Sequence, residues 1–191
     1  MDFITYLYLQ MKINKKQFAN IAFVVLIGLM IYPPTKVFFI RLISFPPSAI
    51  SKENQQQIQD TDWQLKGLNT NNTNLNKLEN NVVFVSFWAT WCAPCVAEMP
   101  SMQKLFNDYK NQVTFLYVTN ENWETVSEFY NKKKFEFPTY NQLTKTPEEL
   151  KESTIPSTFI IDTSQKIIVK KRGAANWNST EIRAVLDTLL K

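Results

Sequence analysis

The chain has 191 residues, 45% of them hydrophobic and 14% aromatic, which suits one folded domain plus an extra segment and argues against global disorder. It contains no histidine, so histidine-based triads, histidine metal ligands and histidine-ligated haem are excluded together. The formal charge of +4 is concentrated in residues 1–52, where Lys12, Lys15, Lys16, Lys36, Arg41 and Lys52 face Asp2 alone. The remainder is close to neutral, so the basic balance belongs to a leader and is not a nucleic-acid footprint.

Residues 1–17 form the basic flank of that leader, and Met11-Lys12 reads as a start of its own. Phe18 to Tyr32 is apolar except for Asn20, and is shorter than the ~20 residues of a spanning helix. Pro33-Pro34 interrupts the run, then Val37-Phe38-Phe39-Ile40 and Leu42-Ile43 resume it. A membrane anchor, a cleaved signal segment and a buried helix of the domain all fit this pattern. The positive flank and combined length favour an uncleaved anchor over residues 18–43, with the signal segment second, since Pro47-Ser48-Ala49 is a poor cleavage signal. The positive-inside rule then puts everything after about residue 45 on the extracytoplasmic side.

Residues 44–60, rich in Ser, Pro and Gln, predict a tether, and 61–191 the folded domain. Asn69 to Asn81 predicts a polar loop anchored by Leu75 and Leu78. Val82 to Trp88, β-branched and aromatic, predicts a buried strand. After Cys95, Met99, Met102, Leu105, Phe106 and Tyr109 recur at helical spacing, with Pro100 expected to kink the helix. Val113–Val118 predicts a strand, Trp123 to Lys134 an amphipathic helix, and Thr146-Pro147-Glu148-Glu149 a short capped helix. Thr158–Asp162 and Lys166–Lys171 predict a hairpin about Thr163-Ser164, and Asn178-x-x-Glu181 caps a last helix. The order implies an α/β fold, a sheet with helices on both faces.

Both cysteines lie in Trp91-Cys92-Ala93-Pro94-Cys95, at a strand-to-helix junction. Two thiols at this spacing close to a disulfide or open to a dithiol without refolding. A sulfur at a helix N-terminus is favoured as thiolate by the macrodipole and the free N–H groups. Val96 after Cys95 removes the attached-haem motif, and two cysteines supply only half of a zinc tetrahedron. An inert structural disulfide stays open as a reading, although so short a loop constrains little chain entropy. Trp88, Phe87 and Trp123 read as core or rim packing, and Trp91 as an exposed residue of the site.

The run Phe87-Trp88-Ala89-Thr90-Trp91-Cys92-Ala93-Pro94-Cys95, with Pro100, resembles the thioredoxin active-site segment. Ile155-Pro156-Ser157-Thr158-Phe159 resembles the cis-proline segment of that family, and Gly173 its later glycine. Together with the leader and Glu98, the chain looks like the TlpA/ResA branch of membrane-anchored extracytoplasmic thiol–disulfide oxidoreductases. The resemblance implies a thioredoxin-like fold with a central mixed sheet, preceded by a membrane helix. It implies Cys92 as nucleophile, Cys95 as resolving thiol, and a cis Pro156 beside the disulfide with Ile155 offering backbone hydrogen bonds to substrate. Pro94 fixes the turn, and Glu98 is either a proton relay for Cys95 or a solvated helix-face carboxylate. The implied activity is disulfide reduction, including cytochrome c maturation, without a cofactor. Its partners would be disulfide-containing proteins and a membrane thiol electron donor. An oxidase or isomerase of the same fold is the alternative, as is a binding module with a structural disulfide. Thioredoxin's buried Asp, six positions before the first cysteine, is replaced by Ser86. A peroxidase is disfavoured because Ala89, not Thr, stands three before Cys92.

Overall fold

A computed structural model describes residues 14–31 and 33–191. Lys12 and the rest of the expected basic flank up to residue 13 lie outside the described residues. Two helices come first, α1 (Lys15–Ile31) and α2 (Pro33–Leu42). The expected break at Pro33-Pro34 falls between them, because a prolyl pair suits the first turn of a new helix and not the interior of an old one. At 1.5 Å per residue α1 is about 26 Å long, against about 30 Å of bilayer hydrocarbon. No helix among the described residues is long and apolar enough to cross a membrane. Over 18–43 the described residues form α1 and α2, and α2 docks on the domain, where Arg41 Nε donates to the Ala97 carbonyl at 3.2 Å.

The domain contains a seven-stranded mixed sheet in the order β2-β1-β5-β4-β3-β6-β7. The strands are β1 (Gln64–Gly67), β2 (Thr73–Asn74), β3 (Val82–Phe87), β4 (Val113–Val118), β5 (Thr139–Gln142), β6 (Ser157–Ile161) and β7 (Ile167–Arg172). The β3–β4 and β4–β5 pairs are parallel and the others antiparallel. The expected strands and hairpin are present. The β1, β2 and β5 strands come from segments with too few apolar residues to announce themselves. Asn69, expected in a loop, builds this corner: its amide donates to the Phe137 carbonyl at 2.8 Å and its oxygen accepts from Thr139 N–H at 2.9 Å. At Gly67 a Cβ would come within 2.0 Å of the Thr70 carbonyl, so the turn there admits glycine alone.

Alternation along the central strands divides the core. Val82 and Phe84 point to a face covered by α3 (Ala93–Tyr109), α4 (Trp123–Lys133) and α5 (Thr180–Leu189). Val83 and Val85 point to the other face. The α-helical cover expected on both faces is present on the first alone. The second face is sealed by two 3-10 turns, through Leu75 and Leu150, and by Ile58 and Trp63 from the incoming chain. Thr146 does not cap a helix, because its hydroxyl bonds Gln142 and Pro147 takes the cap position of a single 3-10 turn. Asn178 likewise gives way to Ser179, whose Oγ accepts from Ile182 N–H, since the Asn178 oxygen is occupied by the Arg183 guanidinium. Residues 50–58 of the expected tether lie along β7. Ile50 N–H donates to the Ile168 carbonyl, Ile167 N–H to that of Gln56, and Ile58 N–H to that of Gln165.

Candidate redox site

The site grows from the end of β3. Trp88 N–H donates to the Val118 carbonyl, which holds the chain on the sheet as it leaves the strand. The next residues turn tightly, with Cys92 N–H donating to the Ala89 carbonyl at 3.2 Å. Glu121, in the loop after β4, clamps the turn. Its carboxylate accepts from Thr90 N–H at 2.7 Å and from Thr90 Oγ1 at 2.6 Å. Thr90 stands two residues before Cys92, so this pair fixes the approach to the reactive sulfur. Nothing in the local pattern singled out Glu121, which meets Thr90 across 31 positions of chain.

Cys92 and Cys95 are joined as a disulfide with their Cα atoms 5.2 Å apart. Cys92 is the N-cap of α3, and its Sγ accepts the Cys95 N–H at 3.2 Å. Pro94, in the first turn of the helix, contributes no competing N–H. Cys92 is 5% exposed and Cys95 1%, so Cys92 is the more accessible of the two. Trp91 is 75% exposed at the rim, whereas Trp88 is buried and stacks on Tyr130 at 5.6 Å.

The Ile155–Pro156 peptide is cis. Ile155 packs against the core cluster that contains both cysteines, and shares with Trp91, Ala89, Phe87 and Glu121 a cleft of about 130 Å³. The Pro156 carbonyl accepts from Gly173 N–H at 2.9 Å, and Gly173 has the left-handed φ of +77°. Glu152 anchors the same loop to β7 through ion pairs with Lys170, at 2.9 Å, and Arg172.

Glu98 lies on the sheet-facing stripe of α3, one turn beyond Cys95, and is 2% exposed. The solvated-carboxylate reading is thereby removed. Its Oε2 accepts from the Trp177 indole N–H at 2.9 Å and from Ala175 N–H at 3.1 Å. Its Oε1 is buried without a hydrogen-bond partner among the described residues. Burial pushes the carboxyl up to about 8, and the two donors offset only part of that cost. Trp177 was not foreseen as a site residue, because it reaches Glu98 across 79 positions of chain. Ser86 is buried on the same face of the sheet and accepts from Thr158 Oγ1 at 3.1 Å. That pair of neutral hydroxyls leaves Glu98 as the carboxyl buried closest in sequence to the dithiol.

The chain is 37% identical over 82 residues to the thiol-disulfide oxidoreductase ResA of Halalkalibacterium halodurans, covering 42% of this chain and 47% of the relative. It is 32% identical over 127 residues to the ResA of Oceanobacillus iheyensis, covering 63% and 66%. Both matches thus span less than two thirds of the relatives' length. Among solved structures, a DsbF homologue from Corynebacterium diphtheriae superposes with a TM-score of 0.59 at 18% identity, over 74% of this chain and 91% of that one. That likeness shows the thioredoxin-like fold. Residues 56–170 match the AhpC/TSA family, a stretch that runs from the strap along β7 through the dithiol and the cis-proline loop, and the chain belongs to that family.

Proposed function

We propose that the protein is an extracytoplasmic thiol–disulfide oxidoreductase working as a reductase on protein disulfides. The observation that carries the reading is Cys92 Sγ at the N-cap of α3, receiving the Cys95 N–H. A helix N-terminus and a donated N–H both favour sulfur as thiolate, the attacking form. The reduced protein starts with Cys92 as thiolate and Cys95 as thiol. The thiolate attacks one sulfur of the target disulfide, forming the Cys92–target bond and releasing the other target sulfur as thiolate. Cys95 then gives up its proton and attacks Cys92 Sγ, which forms Cys92–Cys95 and expels the second target sulfur. Two electrons pass to the target, and two protons complete its dithiol.

Glu98 suits the proton step. Burial pushes its carboxyl up to about 8, close to neutral pH, so the group can both take up and release a proton there. Ile155, with no backbone hydrogen bond of its own among the described residues, offers an N–H and a carbonyl to an extended target segment. Exposed Trp91 and half-buried Pro94 form the rim of the contact. The apolar α1 supports attachment to a membrane; a membrane thiol carrier as electron source and cytochrome c cysteines as targets belong to the same proposal.

Insulin-disulfide reduction by the full chain tests the reading: turnover is expected, and its absence sinks the activity. The direction is tested by the potential of the Cys92/Cys95 couple, and a value as oxidising as about −120 mV would reverse it.

A further inference from the structure

The α1 helix exposes apolar side chains all round. Phe18, Ile21, Phe23, Val24, Val25 and Leu26 are each more than half exposed, and the last four are consecutive and so go round a full turn. A protein partner covers one side of a helix, whereas a bilayer covers every side. The α2 helix follows after Tyr32 alone and has two unlike faces. Its inner face meets α3: Arg41 bonds the Ala97 carbonyl, and Val37 shares with Trp91, Ala93 and Val96 a cavity of about 330 Å³. Its outer face carries Phe39; Phe38 and Leu42 are exposed at the flank, where they border a cavity against α3, and the exposed apolar surface continues through Ile43 and Phe45.

We propose that this outer face of α2 rests on the bilayer that receives α1, so that α2 is an interfacial helix wedged between the membrane and the active-site helix. The inference rests on the membrane attachment proposed above and adds an orientation to it. Packed helices lie about 8–10 Å apart, so the first turn of α3, with Cys92, is held roughly one helix diameter from the lipid surface. A cavity of about 590 Å³ between α2 and α3 has Arg41 and Lys104 in its lining, which suits the phosphates of anionic headgroups. A dithiol carried there is confined to partners whose own sulfurs stand at the membrane surface.

The test uses the full chain in vesicles of phosphatidylcholine and phosphatidylglycerol. Phe39→Trp exchanges one exposed ring for another and reports on the outer face of α2. Its added emission is expected to lose most of its intensity when lipids brominated high in the acyl chain are included. Trp91, read as the difference between wild type and Trp91→Phe, is expected to be quenched by headgroup nitroxides. An unquenched Phe39→Trp overturns the interfacial helix. A quenched Phe39→Trp with unquenched Trp91 overturns the fixed height of the redox mouth. A Val24→Trp reporter separates the two levels. If it is quenched while Phe39→Trp is not, only the orientation fails; if both are unquenched, the membrane attachment fails as well. Insulin reduction is read independently of all three.

Discussion

Replacing Glu98 by Gln keeps the size and the acceptor oxygen of the side chain but removes its charge. In the native protein the carboxyl titrates at about 8 in place of 4.5. Between those values the folded state holds a proton that the unfolded state has lost, so this group makes stability fall as pH rises. Its contribution is intact below 4.5, diminishes through the interval, and is gone above about 8. At about 1.4 kcal/mol per pH unit, the loss is about 3 kcal/mol by pH 7 and about 5 kcal/mol above pH 8. In Glu98→Gln the new amide oxygen can still accept from Trp177 and Ala175, but the amide NH2 takes the place of the unpartnered Oε1, at a cost of about 1–3 kcal/mol at every pH. The two stability curves are therefore expected to cross near about pH 6, with Glu98→Gln the more stable protein at pH 9. Urea unfolding of the oxidised proteins at pH 5, 7 and 9 measures this, and all other titrating groups cancel in the difference. Parallel curves for wild type and variant would refute the buried, protonated carboxyl.

In the Trp177→Phe variant the ring against Phe84 is kept and the indole donor is lost; since that donor favours the ionised carboxyl, the stability inflection of Glu98 should move to higher pH, and an unmoved or lowered inflection counts against the bond. Cys92→Ser should abolish insulin reduction, whereas Cys95→Ser should accumulate a mixed disulfide visible as an added mass; equal behaviour of the two variants would contradict the division of roles. Glu121→Ala removes both bonds to Thr90 and is expected to cost about 1–3 kcal/mol and to slow insulin reduction, so unchanged thermal unfolding and turnover would dismiss the clamp. Asn69→Ala takes partners from Phe137 and Thr139 and should cost a similar ~1–3 kcal/mol in urea unfolding with little change in turnover; a null effect on stability would remove Asn69 from the β5 corner.

Those variants also mark which parts of the molecule were legible in the chain. Cys92, Cys95 and the strand before them carry a dense local signal, because a β-branched run followed by a helical stripe satisfies two periodicities within a few residues. Trp91 was legible as an exposed residue, and the 158–171 hairpin as a pair. What was not legible depends on contacts between distant segments. Thr139–Gln142 has no apolar alternation and is a strand because β4 and β1 supply its hydrogen bonds. Asn178 has the composition of a cap, yet Arg183 takes its oxygen and Ser179 does the capping. The burial of Glu98 depends on Trp177, and the clamp on Thr90 depends on Glu121. A pattern read along one stretch of chain contains neither meeting.

The strap formed by residues 50–58 bears on how the domain can be handled. Without it, β7 would end the sheet as an open row of N–H and carbonyl groups, the template on which a second chain pairs edge to edge. A fragment begun at residue 61 would keep the dithiol, Glu98 and the cis-proline loop while uncovering that row, and would also lose Ile58 from the core. Such a fragment would self-associate through a strand far from its reactive sulfurs, and a loss of yield or of monomer would say nothing about its chemistry. Cutting the chain before Ile50 retains the cover while removing the apolar helices, together with buried Pro47 and the Phe45 carbonyl that accepts from Asn176 N–H.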